Sequence, residues 1–350
     1  MIIKGLKSKE LYFNILRDTL KENIPLHCYL EITNKCNARC YFCFQGEEYR
    51  KREDLDTETW KKIIIELEKM GCFWVIISGG EPLIREDFWD IIEFLKKKRF
   101  VLSLVSNGIL LKKEDIIRFK KYYFESITVS IHSVNKETCD KIFGINYPLD
   151  KIINIILEMN KENLPIVVHA VLTKDTIGEF ENMYQFFKNH GFKEYQITFY
   201  CVHPVPFKNY EVFLPSEEEL KSFYKKHNWP IFPKKSPSIF LCGAGKNVLR
   251  IDAIGNVHLC PVLEFPIGNL REKSLEEIWK NNFVLTIFRK IDSKNFSECL
   301  NCDYHLFCET CMAHNWNETK NIFKPGKFIC KLAKIFKEVW EENYGKIGNS

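Results

Sequence analysis

The sequence predicts an α/β fold: a partial (β/α)6 barrel followed by a small α+β domain rich in loops. Three observations support this prediction. Strand-like apolar segments alternate with amphipathic helical segments between residues 28 and 200, which is typical of parallel strands joined by crossover helices. The alternation stops at a proline-rich stretch, after which cysteines become frequent. With 350 residues the chain is long enough for about two domains.

The barrel elements follow one another in a regular order. A first strand over 28–33 leads into a cysteine loop, and a helix over 57–70 begins after the capping residue Asp56. The run 72–78 is continuously apolar, as expected of a strand that is covered on both faces. The remaining predicted helix and strand pairs are 87–98 with 100–105, 112–121 with 126–132, 148–160 with 166–172, and 178–190 with 195–200.

The second half of the chain differs in character. Residues 201–240 contain six prolines around one charged helix over 216–227, and this indicates a linker. A hairpin over 248–260 that turns at Gly255-Asn256, a helix over 274–281 and a final amphipathic helix over 331–343 follow. We therefore expect an N-terminal extension (1–27), a barrel (28–205), a linker (206–240) and a C-terminal domain (241–350).

Composition excludes several classes of protein. Hydrophobic residues make up 45% of the chain and charged residues 28%, which is ordinary for a folded globular protein. The net charge of +5 is too small to indicate a nucleic-acid or membrane partner. The N-terminus lacks the apolar core of a secretory signal, and no run approaches the roughly 18 apolar residues of a membrane span. We expect a cytoplasmic protein.

The fourteen cysteines are the unusual feature of the composition. In a reducing compartment, clustered cysteines indicate metal binding or catalysis rather than disulfides. Four of them are scattered and are expected to be small buried hydrophobic residues: Cys28, Cys72, Cys139 and Cys201. The other ten fall into two clusters.

The first cluster is a C-x3-C-x2-C loop formed by Cys36, Cys40 and Cys43 at the end of the first predicted strand. Three thiolates this close can hold one [4Fe–4S] cube and leave one iron without a protein ligand. That iron is then open to a chelating ligand such as an amino-acid amine and carboxylate. A zinc site would need a fourth ligand, and the adjacent Cys28 belongs to the strand.

Small and polar residues mark the ends of the next strands. Gly79 and Gly80, followed by Glu81, let the backbone approach a ligand closely. Ser106 and Asn107 end the third strand, and Ser130 ends the fourth. Because active sites of such sheets form at the carboxyl ends of the strands, we expect these residues to lie near the cysteine loop.

The chain resembles the radical S-adenosylmethionine (SAM) enzymes in the cysteine loop (36–43), the GGEP turn (79–82), the Ser-Asn-Gly strand end (106–108) and the order of elements over 28–200. The resemblance implies a TIM-like partial barrel in which the amine and carboxylate of SAM chelate the free iron. One electron from the cluster then cleaves the sulfonium to a 5′-deoxyadenosyl radical. The residues implied to bind SAM are Phe42, Gly79, Gly80, Glu81, Ser106, Asn107 and Ser130.

The second cluster has the order C…GxxxxC…CxxCxxxxxCxxC…C and spans Cys242 to Cys330. Its two CxxC units alone are compatible with a zinc ribbon, although seven thiolates exceed what one ion needs. The order resembles the SPASM extension of radical SAM enzymes, which implies two auxiliary [4Fe–4S] clusters and three clusters in total. The implied inner ligands are Cys242, Cys260 and Cys311; the implied outer ligands are Cys299, Cys302, Cys308 and Cys330.

The chain departs from the SPASM pattern in two respects. The gap between Cys308 and Cys311 is one residue shorter than usual, and the inner cluster has three cysteines instead of four. Its fourth position is expected to be open to substrate, with water, Cys201 or His258 as alternatives. Pro261 stands where sulfatase-maturing relatives carry a carboxylate base, which disfavours formylglycine formation.

The resemblance implies a maturase that abstracts hydrogen from a peptide or small protein and draws its electrons from a flavodoxin or ferredoxin. The 27 residues before the first strand are too few for the peptide-recognition domain of many such enzymes. The alternatives are an enzyme of tetrapyrrole side-chain oxidation or decarboxylation and a zinc-binding interaction module. No proton carrier is assigned, and the candidates are Glu31, His132, His169, Tyr200 and His203, of which His169 is expected to be a core histidine.

Overall fold

The computed structural model describes residues 6–43, 45–204, 210–227, 233 and 242–345. Within these ranges one nine-stranded sheet has the order β6-β5-β4-β3-β2-β1-β7-β8-β9. The strands are β1 (His27–Glu31), β2 (Trp74–Ser78), β3 (Val101–Ser106), β4 (Ser126–Ser130), β5 (Ile166–Leu172), β6 (Ile197–Cys201), β7 (Val248–Ile251), β8 (Asn256–His258) and β9 (Pro266–Asn269).

Strands β1 to β6 are parallel to their neighbours, and helices separate them along the chain. The predicted partial barrel is therefore confirmed. The helices of the described ranges are α1 (Leu6–Glu22), α2 (Glu47–Arg50), α3 (Thr57–Lys69), α4 (Phe88–Lys97), α5 (Asp115–Tyr122), α6 (Lys136–Phe143), α7 (Leu149–Lys161), α8 (Phe180–Asn189), α9 (Glu217–Lys226), α10 (Leu275–Asn281), α11 (Phe283–Lys290), α12 (Ser297–Leu300), α13 (Met312–Thr319) and α14 (Lys327–Tyr344).

The core lies between the sheet and the helices that surround it. Apolar residues at helical spacing make one face of α3, and Trp60, Ile64 and Leu67 on this face are fully buried. The side chain of Asp56 accepts a hydrogen bond from the backbone of Thr59, so it caps this helix as predicted.

The C-terminal strands extend the barrel sheet. Strand β7 pairs with β1 in parallel, and β8 and β9 follow as antiparallel strands. The predicted hairpin turn is present, with Gly255 at φ +90°, a conformation that favours glycine. The sequence did not predict the pairing of β7 with β1, because these two strands are far apart along the chain.

Several element boundaries differ from the prediction. Helix α5 begins at Asp115 instead of 112, strand β4 ends at Ser130 instead of 132, and helix α14 begins at Lys327 instead of 331. Helices α1, α2, α6, α11, α12 and α13 and strand β9 were not predicted. Residues 210–227 and 233 of the predicted linker (206–240) are described and contain α9, and the rest of the linker lies outside the described residues. Within the described ranges, no helix combines the length and apolar character needed to cross a membrane.

Candidate active site

A cavity of about 410 Å³ lies at the carboxyl ends of the parallel strands. It brings together the cysteine loop and the ends of β2, β3 and β4, as the strand order requires. The predicted cysteine ligands and SAM-binding residues that line it are Cys36, Cys40, Phe42, Cys43, Gly79, Gly80, Ser106, Asn107 and Ser130. The candidate proton carriers His132, His169 and Tyr200 line it as well.

The cysteine loop is held by backbone hydrogen bonds to the end of α6. The amide of Arg39 donates to the carbonyl of Phe143 (2.7 Å), and the amide of Tyr41 donates to the carbonyl of Ile142 (3.2 Å). These bonds position a segment that has no regular secondary structure of its own, so α6 acts as the support of the loop.

The two glycines of the GGEP turn lie against the backbone that precedes the cysteine loop. The amide of Gly80 donates to the carbonyl of Thr33 (2.8 Å). A Cβ on Gly79, which has φ +135°, would lie 2.5 Å from the Thr33 oxygen, and a Cβ on Gly80 would lie 2.3 Å from the Lys35 oxygen. Only glycine therefore permits this contact between the two ligand-facing loops.

Glu81 lies behind the cavity wall rather than in it. Its side chain is fully buried and accepts hydrogen bonds from the Ser106 hydroxyl (2.9 Å), the Asn107 amide (2.7 Å) and the Leu83 amide (3.1 Å). Burial raises its pKa to about 7, although these three bonds oppose the shift. The Glu81 carboxylate holds the Ser-Asn turn, and a direct contact of Glu81 with a cofactor stays a prediction.

The inward-facing residues of the central strands complete the wall. Thr128 and Ser130 on β4 and His169 and Val171 on β5 line the cavity, because alternate residues of a strand face the same side. His169 was expected to be a core histidine, but it faces the cavity, where its Nδ1 lies 2.8 Å from the Thr198 hydroxyl. Burial lowers its pKa to about 4.

Phe42 and His132 form a second part of the wall. Their ring centroids lie 5.3 Å apart in an edge arrangement, and the His132 ring also stacks on Phe143 at 5.0 Å. The Nδ1 atom of His132 accepts a hydrogen bond from the amide of Val171 (3.1 Å). Burial lowers the pKa of His132 to about 3, so the ring is neutral and serves as a flat, rigid surface beside the cysteine loop.

Burial also raises the pKa of two cysteines of the loop. It raises the pKa of Cys40 to about 12 and raises the pKa of Cys36, while the guanidinium of Arg50 lowers both. Arg50 lines the cavity and donates through Nη1 to the carbonyl of Ala38 (2.7 Å). Metal binding by these thiols must displace their protons, and Arg50 favours the resulting thiolates.

The polar atoms around the loop fit an iron–sulfur cluster. Four buried donor nitrogens have no hydrogen-bond partner within the described part of the chain: Asn34 Nδ2, Asn37 Nδ2, Gln45 Nε2 and Arg50 Nε. A buried donor without a partner is costly. Sulfur atoms of a bound cluster accept such hydrogen bonds. The three cysteines would supply the thiolates; of these donors, Asn37 belongs to the cysteine loop and Arg50 lines the same cavity.

The C-terminal cysteines form two groups. The thiols of Cys242 and Cys311 lie close enough to raise the pKa of Cys260, which burial brings to about 12. Cys299, Cys302, Cys308 and Cys330 line a separate cavity of about 40 Å³. These groups have the same members as the predicted inner and outer ligand sets. Their role as ligands stays a prediction.

Two of the alternatives for a fourth inner ligand make other contacts in the structure, and the identity of that ligand stays a prediction. Cys201 lines a different cavity, beside β6, and Nε2 of His258 lies 3.3 Å from the Asp252 carboxylate. Among the residues that the structure describes, no three His, Cys, Asp or Glu side chains converge closely enough to hold a single metal ion.

Sequence reasoning missed two charged groups. Arg50 follows the cysteine loop without any motif that marks it. Arg250 on β7 is 1% exposed and lies 3.5 Å from Glu31 on β1, and it also contacts Glu264 in the loop after Cys260. Burial raises the pKa of Glu31 to about 7, opposed by Arg250. Only the pairing of β7 with β1 brings these residues together.

A partial α/β barrel with a three-cysteine loop at the end of its first strand defines a class of iron–sulfur barrel protein. Comparison with family profiles identifies the class. The profile of the radical SAM superfamily matches residues 30–187, and that of the SPASM iron–sulfur cluster-binding domain matches residues 242–303. The chain belongs to the radical SAM superfamily and is a radical SAM enzyme with a C-terminal SPASM domain.

Individual proteins are similar over most of the chain. The AdoMet-dependent heme synthase of Methanosarcina barkeri is 25% identical, over 87% of this chain and 98% of that protein. The mycofactocin maturase MftC of Mycobacterium tuberculosis is 25% identical, over 83% of this chain and 78% of that protein. The SAM-bound structure of Streptococcus suis SuiB superposes with a TM-score of 0.70 at 17% identity, over 94% of this chain and 84% of SuiB, which shows the shared fold.

Proposed function

We propose that this protein is a maturase that cleaves SAM reductively and removes hydrogen from a peptide or small protein, leaving an oxidised or crosslinked product. The observation that carries the proposal is the common cavity of the cysteine loop, the glycine turn and the Ser-Asn strand end. Peptide chemistry is supported by the similarity to the maturase MftC, and the fold is that of SuiB, which has been solved with its precursor peptide SuiA.

In this proposal the first cluster is held by Cys36, Cys40 and Cys43, and the two auxiliary clusters by the seven C-terminal cysteines. When bound, the first cluster would supply the electron that cleaves SAM, and the auxiliary clusters would supply an acceptor for the electron released in the net loss of two hydrogens from the substrate. A flavodoxin or ferredoxin is the proposed electron donor.

The residues of the chain position SAM and exclude water. The backbone of Gly79 and Gly80 lies beside the cysteine loop and offers carbonyl groups to the SAM amine. The ring of Phe42 offers a flat surface to the adenine, and Ser106, Asn107 and Ser130 offer polar groups to the ribose or carboxylate. The buried strands beneath them keep the radical away from solvent.

The test is anaerobic incubation of the reconstituted protein with SAM, a reductant and candidate peptides. We expect 5′-deoxyadenosine and a peptide that is lighter by two hydrogens, measured by mass spectrometry. Iron analysis should give about twelve irons per chain for three cubes. About four irons would remove the auxiliary clusters from the proposal, and one or two zinc ions would support the interaction module instead.

A second candidate function is oxidation or decarboxylation of a tetrapyrrole side chain. It is favoured by the similarity to the heme synthase, which extends over 98% of that protein. The same incubation with a porphyrin that carries propionate side chains separates the two candidates. Loss of carbon dioxide from the porphyrin, with every peptide unchanged, would replace the peptide proposal.

A further inference from the structure

A second cavity, of about 370 Å³, adjoins the SAM site. It shares Tyr200, at the end of β6, with the cavity of the cysteine loop. It also shares Ile329 and Ala333 on α14 with the cavity of the outer cysteines. We call it the aromatic cavity. Because it shares residues with both neighbouring cavities, the aromatic cavity lies between the SAM site, where hydrogen is removed, and the outer group of cysteines.

Aromatic rings dominate its wall. Phe199, Tyr224, Phe307, Phe328 and Phe336 line it. The rings of Tyr224 and Phe336 meet edge to face at 4.8 Å, a preferred packing of aromatic rings. A concave site of roughly 300–1,000 Å³ that is lined by apolar and aromatic side chains, with a few polar groups, is typical of ligand-binding pockets.

Besides Cys201 and Glu309, the wall contains polar rings that form a row starting at the SAM site. His169 and Tyr200 lie 4.8 Å apart, Tyr200 and His203 lie 5.4 Å apart, and His203 and His314 lie 5.0 Å apart, measured between ring centroids. Nδ1 of His314 is buried and has no hydrogen-bond partner among the residues described here. A phenol hydroxyl both donates and accepts, so it can pair with either tautomer of this histidine.

We propose that the aromatic cavity binds the side chain of an aromatic residue of the substrate, and that a tyrosine phenol fits it best. The ring stacks among the wall phenylalanines, and its hydroxyl pairs with His314. The inference rests on the proposed peptide function and specifies the substrate class. Because Tyr200 borders both cavities, a substrate held in this way presents atoms near its aromatic residue to the SAM site.

Binding is tested with the full-length, anaerobically reconstituted protein and the probe N-acetyl-L-tyrosinamide, followed by saturation-transfer NMR without reductant. We expect this probe to bind at least about tenfold more tightly than N-acetyl-L-leucinamide. Leu332→Trp places an indole in the cavity and is expected to weaken binding of the probe by about tenfold or more. Ile287→Trp, at a 45% exposed position of α11, is the matched control and should keep the wild-type affinity.

His314→Phe provides a second variant that keeps a ring at this position. It should abolish the preference for N-acetyl-L-tyrosinamide over N-acetyl-L-phenylalaninamide while the latter still binds. Iron content and circular dichroism establish whether each variant is folded. If Leu332→Trp does not fold, the probe affinities of His314→Phe test the proposal. Equal affinity of the wild type for the tyrosine and leucine probes, or a phenol preference that survives His314→Phe, overturns the proposal.

The binding test is independent of the proposed function. It needs neither reductant nor SAM cleavage, so failure of the probe to bind counts against the aromatic cavity alone. Failure of the wild-type protein to form 5′-deoxyadenosine with reductant present counts against the proposed function and leaves the binding result intact.

Discussion

At the scale of single residues, burial raises the pKa of two thiols of the cysteine loop, Cys36 and Cys40. The pKa of Cys40 is raised to about 12, mainly by burial, and the neighbouring thiols add to the shift. Cys139 on α6 is fully buried, at 0% exposure, whereas Cys40 is partly exposed, and Cys139 lies outside the cavity wall. Comparing substitutions at these two cysteines therefore separates the loss of a metal ligand from the loss of a buried thiol.

Cys40→Ala is expected to abolish 5′-deoxyadenosine formation and to remove the iron of the first cluster, since two thiolates cannot hold the cube in place. Cys139→Ala, the matched control, should keep both. Iron analysis and chromatographic measurement of 5′-deoxyadenosine test this prediction. Undiminished SAM cleavage by Cys40→Ala would contradict the assignment of the cysteine loop as the holder of the first cluster.

Arg50 is expected to tune the redox potential of the first cluster. Its guanidinium faces the cysteine loop and favours negative charge there. Reduction adds a negative charge, so Arg50→Met should make the midpoint potential more negative, and Arg50→Lys should restore part of the change. Arg52→Met, at an exposed position two residues away, is the control. A redox titration in which Arg50→Met titrates like the wild type would reject this role.

At the scale of elements, the site is built by loops that contact one another at the ends of strands. The GGEP turn touches the backbone of Thr33 and Lys35, and Glu81 links the turn to the end of β3. A change in the turn should therefore displace the cysteine loop as well. Strand ends supply rigid support for all of these contacts.

Gly80→Ala tests this coupling. The added Cβ would meet the Lys35 carbonyl at 2.3 Å, so the loop must move. We expect SAM binding to weaken by roughly tenfold or more, since misplacement of about 1 Å costs up to a hundredfold in positioned sites. Gly178→Ala is the control, because nothing lies within 4 Å of its Cβ. Unchanged SAM affinity of Gly80→Ala in an equilibrium titration would contradict the coupling.

The barrel strands were predicted with small errors because their apolar runs are flanked by clear helix signals. Helix α13 shows why other elements were not. It buries Asn315, whose side chain donates to the Ile322 carbonyl and accepts from the Gly326 amide. A polar residue in a buried position breaks the apolar periodicity, and only the tertiary contacts explain it.

The candidate site also combines residues that local sequence patterns predict with residues that only tertiary contacts bring into place. The cysteine and glycine motifs are local patterns, and the structure places them in one cavity as the strand order requires. His169 and Arg50 face this cavity because of strand alternation and loop packing, respectively. The sequence does not reveal which face of β5 is covered by helices, because a buried parallel strand is apolar on both sides.

At the scale of the whole molecule, β1 joins the two domains, since β2 pairs with one of its edges and β7 with the other. The buried guanidinium of Arg250 adds a second link, from Glu31 in the barrel to Glu264 in the C-terminal domain. This continuity predicts that the barrel and the SPASM domain unfold together.

Arg250→Met should lower the free energy of unfolding by roughly 3–5 kcal/mol, because it leaves two buried carboxylates without their cation. The control is Arg271→Met, at an exposed arginine of the same domain, which should change the free energy of unfolding little. Thermal unfolding followed by circular dichroism provides the comparison. Two separate transitions in the wild type would show that the continuous sheet does not couple the domains.

The most direct test of the account is the EPR spectrum of the anaerobically reduced protein with and without SAM. The account predicts that SAM alters the signal of one cluster, since its fourth iron has no protein ligand, and that this signal is the one missing from Cys40→Ala. A spectrum that SAM leaves unchanged, or a responding signal that persists in Cys40→Ala, would contradict it.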